Sequence, residues 1–147
     1  MIYWGAIRHF EPGEFGEYVE KMDVSTIIHL DDMRHIEDEY RRDNDRSGII
    51  ITINEGWAER PGNPNSMHPL GRAIDCVIRN AETREPLPIV EQFLIAMRYP
   101  WGGVGFYPFW EDPGLHLDTR ALKGGSRKAT WWRNLRGVYL PIDAYFV

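Results

Sequence analysis

Ala73-Ile74-Asp75-Cys76-Val77-Ile78 reads as a buried strand with a carboxylate in its middle. Apolar and β-branched side chains suit a covered, pleated surface, whereas an Asp there is disfavoured by strand propensity and by desolvation of its charge. A cation beside it would offset that cost. Histidines able to share such a cation lie on both sides, in His68-Pro69-Leu70-Gly71-Arg72 and in Gly114-Leu115-His116-Leu117-Asp118. Two imidazoles and one carboxylate leave the fourth position of a tetrahedral zinc open. His68 and Asp75 are an odd number of residues apart, so on one unbroken strand they would face opposite sides. Pro69 interrupts a regular ladder and Gly71 tolerates backbone angles closed to other residues, so a bend between them can bring the two side chains together.

The pattern S-x-H-x-x-G-x-A-x-D, from Ser66 to Asp75, followed by H-x-D, from His116 to Asp118, resembles the zinc D-Ala-D-Ala carboxypeptidase and peptidoglycan endopeptidase family, which shares its fold with the hedgehog signalling domain. The likeness continues in Phe10-Glu11-Pro12-Gly13-Glu14-Phe15 (F-x-x-x-E-F), Leu30-Asp31-Asp32-Met33-Arg34 (L-D-x-(L/M)-R) and Gly103-Val104-Gly105-Phe106-Tyr107-Pro108 (G-x-G-x-Y-P), and so runs over most of the chain. It implies that His68, Asp75 and His116 hold Zn²⁺, with Ser66 supporting the site on its substrate side. It also implies hydrolysis of an amide bond in the stem peptide of bacterial peptidoglycan, by a carboxypeptidase or an endopeptidase.

The chain departs from that family at two places. A G-Y-R tripeptide normally precedes the motif, and here the stretch is Glu55-Gly56-Trp57-Ala58-Glu59-Arg60. Arg60, displaced by two positions, is expected to reach the cleft and pair with a substrate carboxylate through its planar fork, against the plainer reading of a surface arginine. The family's general-base carboxylate often lies three residues before the last zinc histidine, where this chain has Pro113. Glu111 or Asp112, in the adjoining turn, is expected to take the proton of the attacking water and hand it to the leaving amine. Asp118 either orients a metal histidine or caps a strand end. These departures also motivate a rival reading, a catalytically impaired module of the same fold that serves a structural or binding role, for example in a phage particle.

The remaining candidates carry less chemistry. His29 and His35, six apart, do not share a helix face, and with His9 they read as packing or solvated residues. Trp57 reads as packing. Cys76 is the single cysteine, so no internal disulfide forms, and its strand position suits a small buried hydrophobe.

A chain of 147 residues is the size of one domain, taken here as residues 1–147. The net charge is −5, yet the stretch from Arg120 to Arg136 carries Lys123, Arg127, Lys128 and Arg133 without an acid, and reads as a solvated basic loop or a contact for anionic polymer. Nucleic acid is not an expected partner, because Trp131 and Trp132 are adjacent rather than spaced as stacking platforms. No apolar run approaches the ~20 residues of a membrane span. Met1 to Arg8 has no basic segment followed by an apolar stretch, so no secretion signal is read. The expectation is a monomer made in the cytoplasm that acts at the cell wall after release or within a phage particle.

Element signals give an α+β domain, a small antiparallel sheet flanked by helices. A short helix is expected after Pro12 and a long one over about 24–42, with Asp23 as N-cap and Val24, Ile27, Ile28, Ile36 and Tyr40 as its apolar stripe. Strands are expected at 49–53, at the metal motif, at 104–107 and around His116. A further helix follows Pro86 and Pro88 and contains Ile89, Phe93 and Met97.

Overall fold

The structure, a computed structural model, describes residues 1–122, 124 and 127–146. Six strands, β1 (Ile49–Glu55), β2 (Ala73–Asn80), β3 (Gly103–Tyr107), β4 (Gly114–Asp118), β5 (Ala129–Arg133) and β6 (Tyr139–Pro141), form one sheet in the order β1-β2-β4-β3-β5-β6. Every pairing is antiparallel except that of β3 with β5. Helix α1 (Val24–Asp43) packs on β1, and α2 (Ile89–Met97) packs on β3 and β4. The α+β class agrees with the sequence, but the sheet is larger than expected and mixed. Its extra edge is β5, which lies in the stretch that charge alone marked as a basic loop, and β6, which follows that stretch. Among the described residues no helix is long and apolar enough to cross a membrane.

Strict alternation in the central strands separates two faces. Ile74, Cys76 and Ile78 of β2, Leu115 and Leu117 of β4, and Val104 and Phe106 of β3 point one way and are fully buried in the core with Ile27, Leu30 and Met33 of α1. The residues between them, Asp75, His116, Asp118, Gly103, Gly105 and Tyr107, point the other way. One pleat therefore builds the core and presents the polar groups together.

Helix α1 extends over the expected range but turns a different face inward. Val24, Ile28, Ile36 and Tyr40 are exposed, while Thr26, Ile27, Leu30, Asp31, Met33, Glu37 and Arg41 are buried. The inward stripe includes charged residues because each meets a partner. Asp31 accepts from Arg8 Nε (2.9 Å), Glu37 accepts from Arg98 Nη2 (2.7 Å), and Arg41 donates to Glu91 (2.8 Å) and to the Ser47 carbonyl (2.8 Å). Asp23 occupies the N-cap, yet its carboxylate binds Ser25 Oγ (2.6 Å) rather than a helix N–H. The expected short helix is the 3₁₀ turn Pro12–Phe15, closed by a capping box between Glu11 and Glu14.

Candidate metal centre

One transverse row of the sheet sets the site. Glu55 of β1 stands opposite Asp75 of β2, Asp75 opposite His116 of β4, His116 opposite Gly105 of β3, and Gly105 opposite Trp131 of β5. A side chain at Gly105 would come within 2.3 Å of the Trp131 indole. Its absence lets that ring lie across β3 and meet the His116 imidazole, at a centroid distance of 5.2 Å. His68 arrives from outside the sheet, on the 3₁₀ turn His68–Leu70. The turn ends at Gly71 in the left-handed region, φ 67°, where a Cβ would sit 2.1 Å from the Lys21 carbonyl oxygen. The bend expected at Pro69 and Gly71 thus folds His68 back over Asp75.

His68, Asp75 and His116 form a largely buried group that could hold a metal ion, their ligand atoms all lying within 4.8 Å of one another. Asp75 Oδ1 is 3.0 Å from His116 Nδ1 and 3.3 Å from His68 Nε2. Donors at the zinc–nitrogen and zinc–oxygen lengths in a tetrahedron are separated by about 3.3 Å, so the spacing fits. The outer nitrogens fix the tautomers. His68 Nδ1 is 2.7 Å from the Gly56 carbonyl, which only accepts, and His116 Nε2 is 2.8 Å from Asp118 Oδ2. Each outer nitrogen must therefore carry the proton, which leaves lone pairs on the inner nitrogens of the neutral rings. Two lone pairs and a carboxylate oxygen then converge with no hydrogen between them, an arrangement that requires a cation or added protons.

The electrostatics agree. With added protons rather than a cation between them, burial alone would raise the Asp75 carboxyl, but hydrogen bonds from the then protonated His116 and His68 rings hold it down at about 2. Burial likewise works against charge on His116, and is outweighed by Asp118 and Asp75, so the imidazole is raised. Asp118, with no exposed side-chain surface, also accepts from Arg120 Nε (2.8 Å) and Nη2 (2.6 Å), and despite its burial is held well below the usual carboxylate range by His116 and Arg120. A Cβ at Gly103 would lie 2.5 Å from Asp118 Oδ2, so the glycine on the neighbouring strand makes room for this carboxylate.

The triad opens into a cleft of about 420 Å³ walled by Arg60, Ser66, Tyr107, Trp110, Arg120, Trp131, Arg133 and Tyr139, among others. Ser66 Oγ accepts from the His68 backbone N–H at 3.3 Å, so it braces the turn that carries the histidine. Arg60 does reach the cleft wall, but its guanidinium is engaged by Glu55 and by the Glu59 carbonyl (3.0 Å). Asp118 orients His116, as described. Glu111 and Asp112 are not on the wall. Asp112 is drawn to Arg79 Nη2 (2.7 Å), on the residue four beyond Asp75 along β2, and Glu111 is exposed. Neither expected base thus lines the cleft: Asp112 is held by Arg79, and Glu111 stays in the exposed turn before Pro113-Gly114.

The lesser candidates resolve simply. His9 and His35 stack on one another, with Nε2 and Nδ1 3.0 Å apart, and His29 Nδ1 meets the Ser25 carbonyl at 2.6 Å. Trp57 donates to the Pro69 carbonyl (3.0 Å) beneath Lys21. Cys76 is buried on the core face, where burial pushes its thiol up. In the basic stretch, Arg120 serves Asp118, Lys128 donates to the Trp101 carbonyl (2.6 Å), and Lys123 lies outside the described residues. Sequence reasoning passed over Tyr107, Trp110, Arg120, Trp131 and Tyr139. Tyr107 was recoverable, since it shares the parity of Gly103 and Gly105 on a strand opposite His116; Trp131 was not, because its place depends on a parallel pairing distant in sequence. No family model, curated protein or solved structure matches the chain.

Proposed function

We propose that the chain is a zinc-dependent amide hydrolase acting on the stem peptide of bacterial peptidoglycan, built on a hedgehog/DD-peptidase-like domain. The observation that carries the metal is the meeting of His68 Nε2, His116 Nδ1 and Asp75 Oδ1 with their tautomers fixed from behind. The substrate class rests on the motif resemblance set out above. Bound zinc would supply Lewis acidity, polarising the scissile carbonyl and activating water. His68, Asp75 and His116 hold it, and Asp118 and the Gly56 carbonyl orient the two rings. Tyr107 Oη accepts from Trp131 Nε1 at 3.2 Å and burial pushes its phenol up, so it keeps its own proton, available to a carbonyl oxygen that gains charge.

The same donor set also serves non-haem iron(II) enzymes, which is why the metal is to be measured. The rival reading, a binding module of the same fold with impaired catalysis, draws on one observation. Among the described residues no carboxylate other than Asp75 lines the cleft. Digestion of purified peptidoglycan, with and without chelator, separates the two. The hydrolase releases fragments whose new termini, assigned by mass, reveal the bond cut, and His116→Ala abolishes both stoichiometric zinc and release. A fully zinc-loaded protein that releases nothing is the module, and zinc retained by His116→Ala would overturn the ligand assignment.

A further inference from the structure

A second cavity adjoins the first and shares its wall. Tyr107, Trp110 and Arg133 line both, and the second continues to Asn134, Arg136 and Gly137 in the turn between β5 and β6. The Tyr107 and Trp110 rings stack at a centroid distance of 4.3 Å and an angle of 12°, which makes a flat ledge between the two. Peptide planes and apolar side chains pack well on such a surface.

The cations of this groove are not equivalent. Arg60 is engaged by Glu55 and Arg120 by Asp118. Arg133 has no carboxylate partner among the described residues; it makes one long hydrogen bond, to the Gly137 carbonyl at 3.4 Å, and lies 5.7 Å from the Tyr139 ring centroid. Most of its five donors are uncommitted. In a chain of net charge −5, a groove whose cations outnumber its carboxylates is suited to an anion. Position along the sheet sets the reach. Arg133 follows Trp132, which pairs with Phe106, so it lies about 7 Å along the strands from the row of His116 and, on β5, about 10 Å across from β4. The Cα separation is therefore about 12 Å, roughly three residues of extended peptide.

We propose that the groove from the metal-ligand triad over the Tyr107–Trp110 ledge to Arg133 seats an extended, carboxylate-bearing peptide, with Arg133 receiving a carboxylate two or three residues from the reacting amide. This rests on the amide-hydrolase reading and adds to it the charge and length of the substrate. The carboxylate can be the peptide's C-terminus or one within it.

The test uses the metal-loaded full chain and three synthetic stem pentapeptides: one with its carboxylates free, one with only the C-terminus amidated, and one with only the internal carboxylate amidated. Binding is read by stopped-flow tryptophan fluorescence before turnover. One amidation should weaken binding to the wild type by about 10- to 100-fold, the worth of a charge-assisted hydrogen bond, and thereby identify the carboxylate. Arg133→Gln should bind all three at the weaker level with zinc content unchanged, and Arg133→Lys should recover part of the preference. Arg98→Gln, which removes a like charge on the helix side of the sheet, should leave the preference intact. A wild type that binds the three peptides equally or not at all overturns the subsite, as does an Arg133→Gln protein that keeps the preference. Hydrolysis without carboxylate preference removes the subsite and leaves the hydrolase; Arg133-dependent binding without hydrolysis does the reverse.

Discussion

Asp118 touches no candidate substrate surface, yet it decides which nitrogen of His116 faces Asp75. Its Oδ2 accepts the hydrogen bond from the Nε2–H at 2.8 Å, and Arg120 in turn fixes both of its oxygens. An Asn in its place keeps the shape, loses the charge that favours an electron-rich imidazole, and leaves Arg120 without its partner. Asp118→Asn should therefore still bind one zinc, with affinity reduced about 10- to 100-fold, as measured by competition against a chromophoric chelator. An unchanged affinity would make Asp118 a strand-end residue that only neighbours the site. The convergence of His68, Asp75 and His116 was legible because each sits in a local pattern whose geometry follows from parity and one bend. The placement of Asp112 was not, since it is held by Arg79, far away in sequence.

Among elements, the join between the N-terminal segment and α1 centres on one buried carboxylate, beside the Arg34 bond to the His9 carbonyl (2.8 Å) and the His9–His35 pair. Asp31 accepts from the backbone N–H groups of Arg8 (3.1 Å) and His9 (2.9 Å) and from Arg8 Nε. Burial acts to raise this carboxyl, and the hydrogen bonds from Arg8 and from the two backbone amides overcome it, so its pKa is lowered. A depressed folded pKa means that the contribution is complete above the unfolded value of about 3.9 and is lost as pH falls through the folded one. Asp31→Asn should cost about 2 kcal/mol near neutral pH, and the gap from the wild type should narrow in acid, both by urea unfolding. An equal loss at the two pH values would assign the effect to shape rather than charge. This residue also shows why the helix face was misread. Apolar content drew the expected stripe to Val24, Ile27, Ile28, Ile36 and Tyr40, of which only Ile27 is buried, and the buried stripe is completed by Asp31, Glu37 and Arg41, whose partners come from distant segments. The central strands fall where their apolar and β-branched runs were expected, and period-two alternation then sets their faces, with Leu115 and Leu117 on one side and Gly114, His116 and Asp118 on the other.

For the whole molecule, the division of the sheet into a core face and a site face separates folding from metal binding. The core of Ile74, Leu115, Leu117, Val104 and Phe106 with α1 and α2 is built without the triad, so a metal held there would not be the nucleus of the fold as it is in a zinc finger. A metal that binds only the folded state adds stability by mass action, about 4 kcal/mol at a thousandfold excess over Kd. At about 2–4 °C per kcal/mol for a chain of this size, chelation should lower Tm by about 10 °C while far-UV circular dichroism at 25 °C stays native. Loss of secondary structure on chelation at room temperature would show that the site face is part of the folding core after all. No shift in Tm on removing stoichiometric metal would mean that zinc is held elsewhere than between His68, Asp75 and His116, because a metal bound only by the folded state cannot leave without lowering its stability.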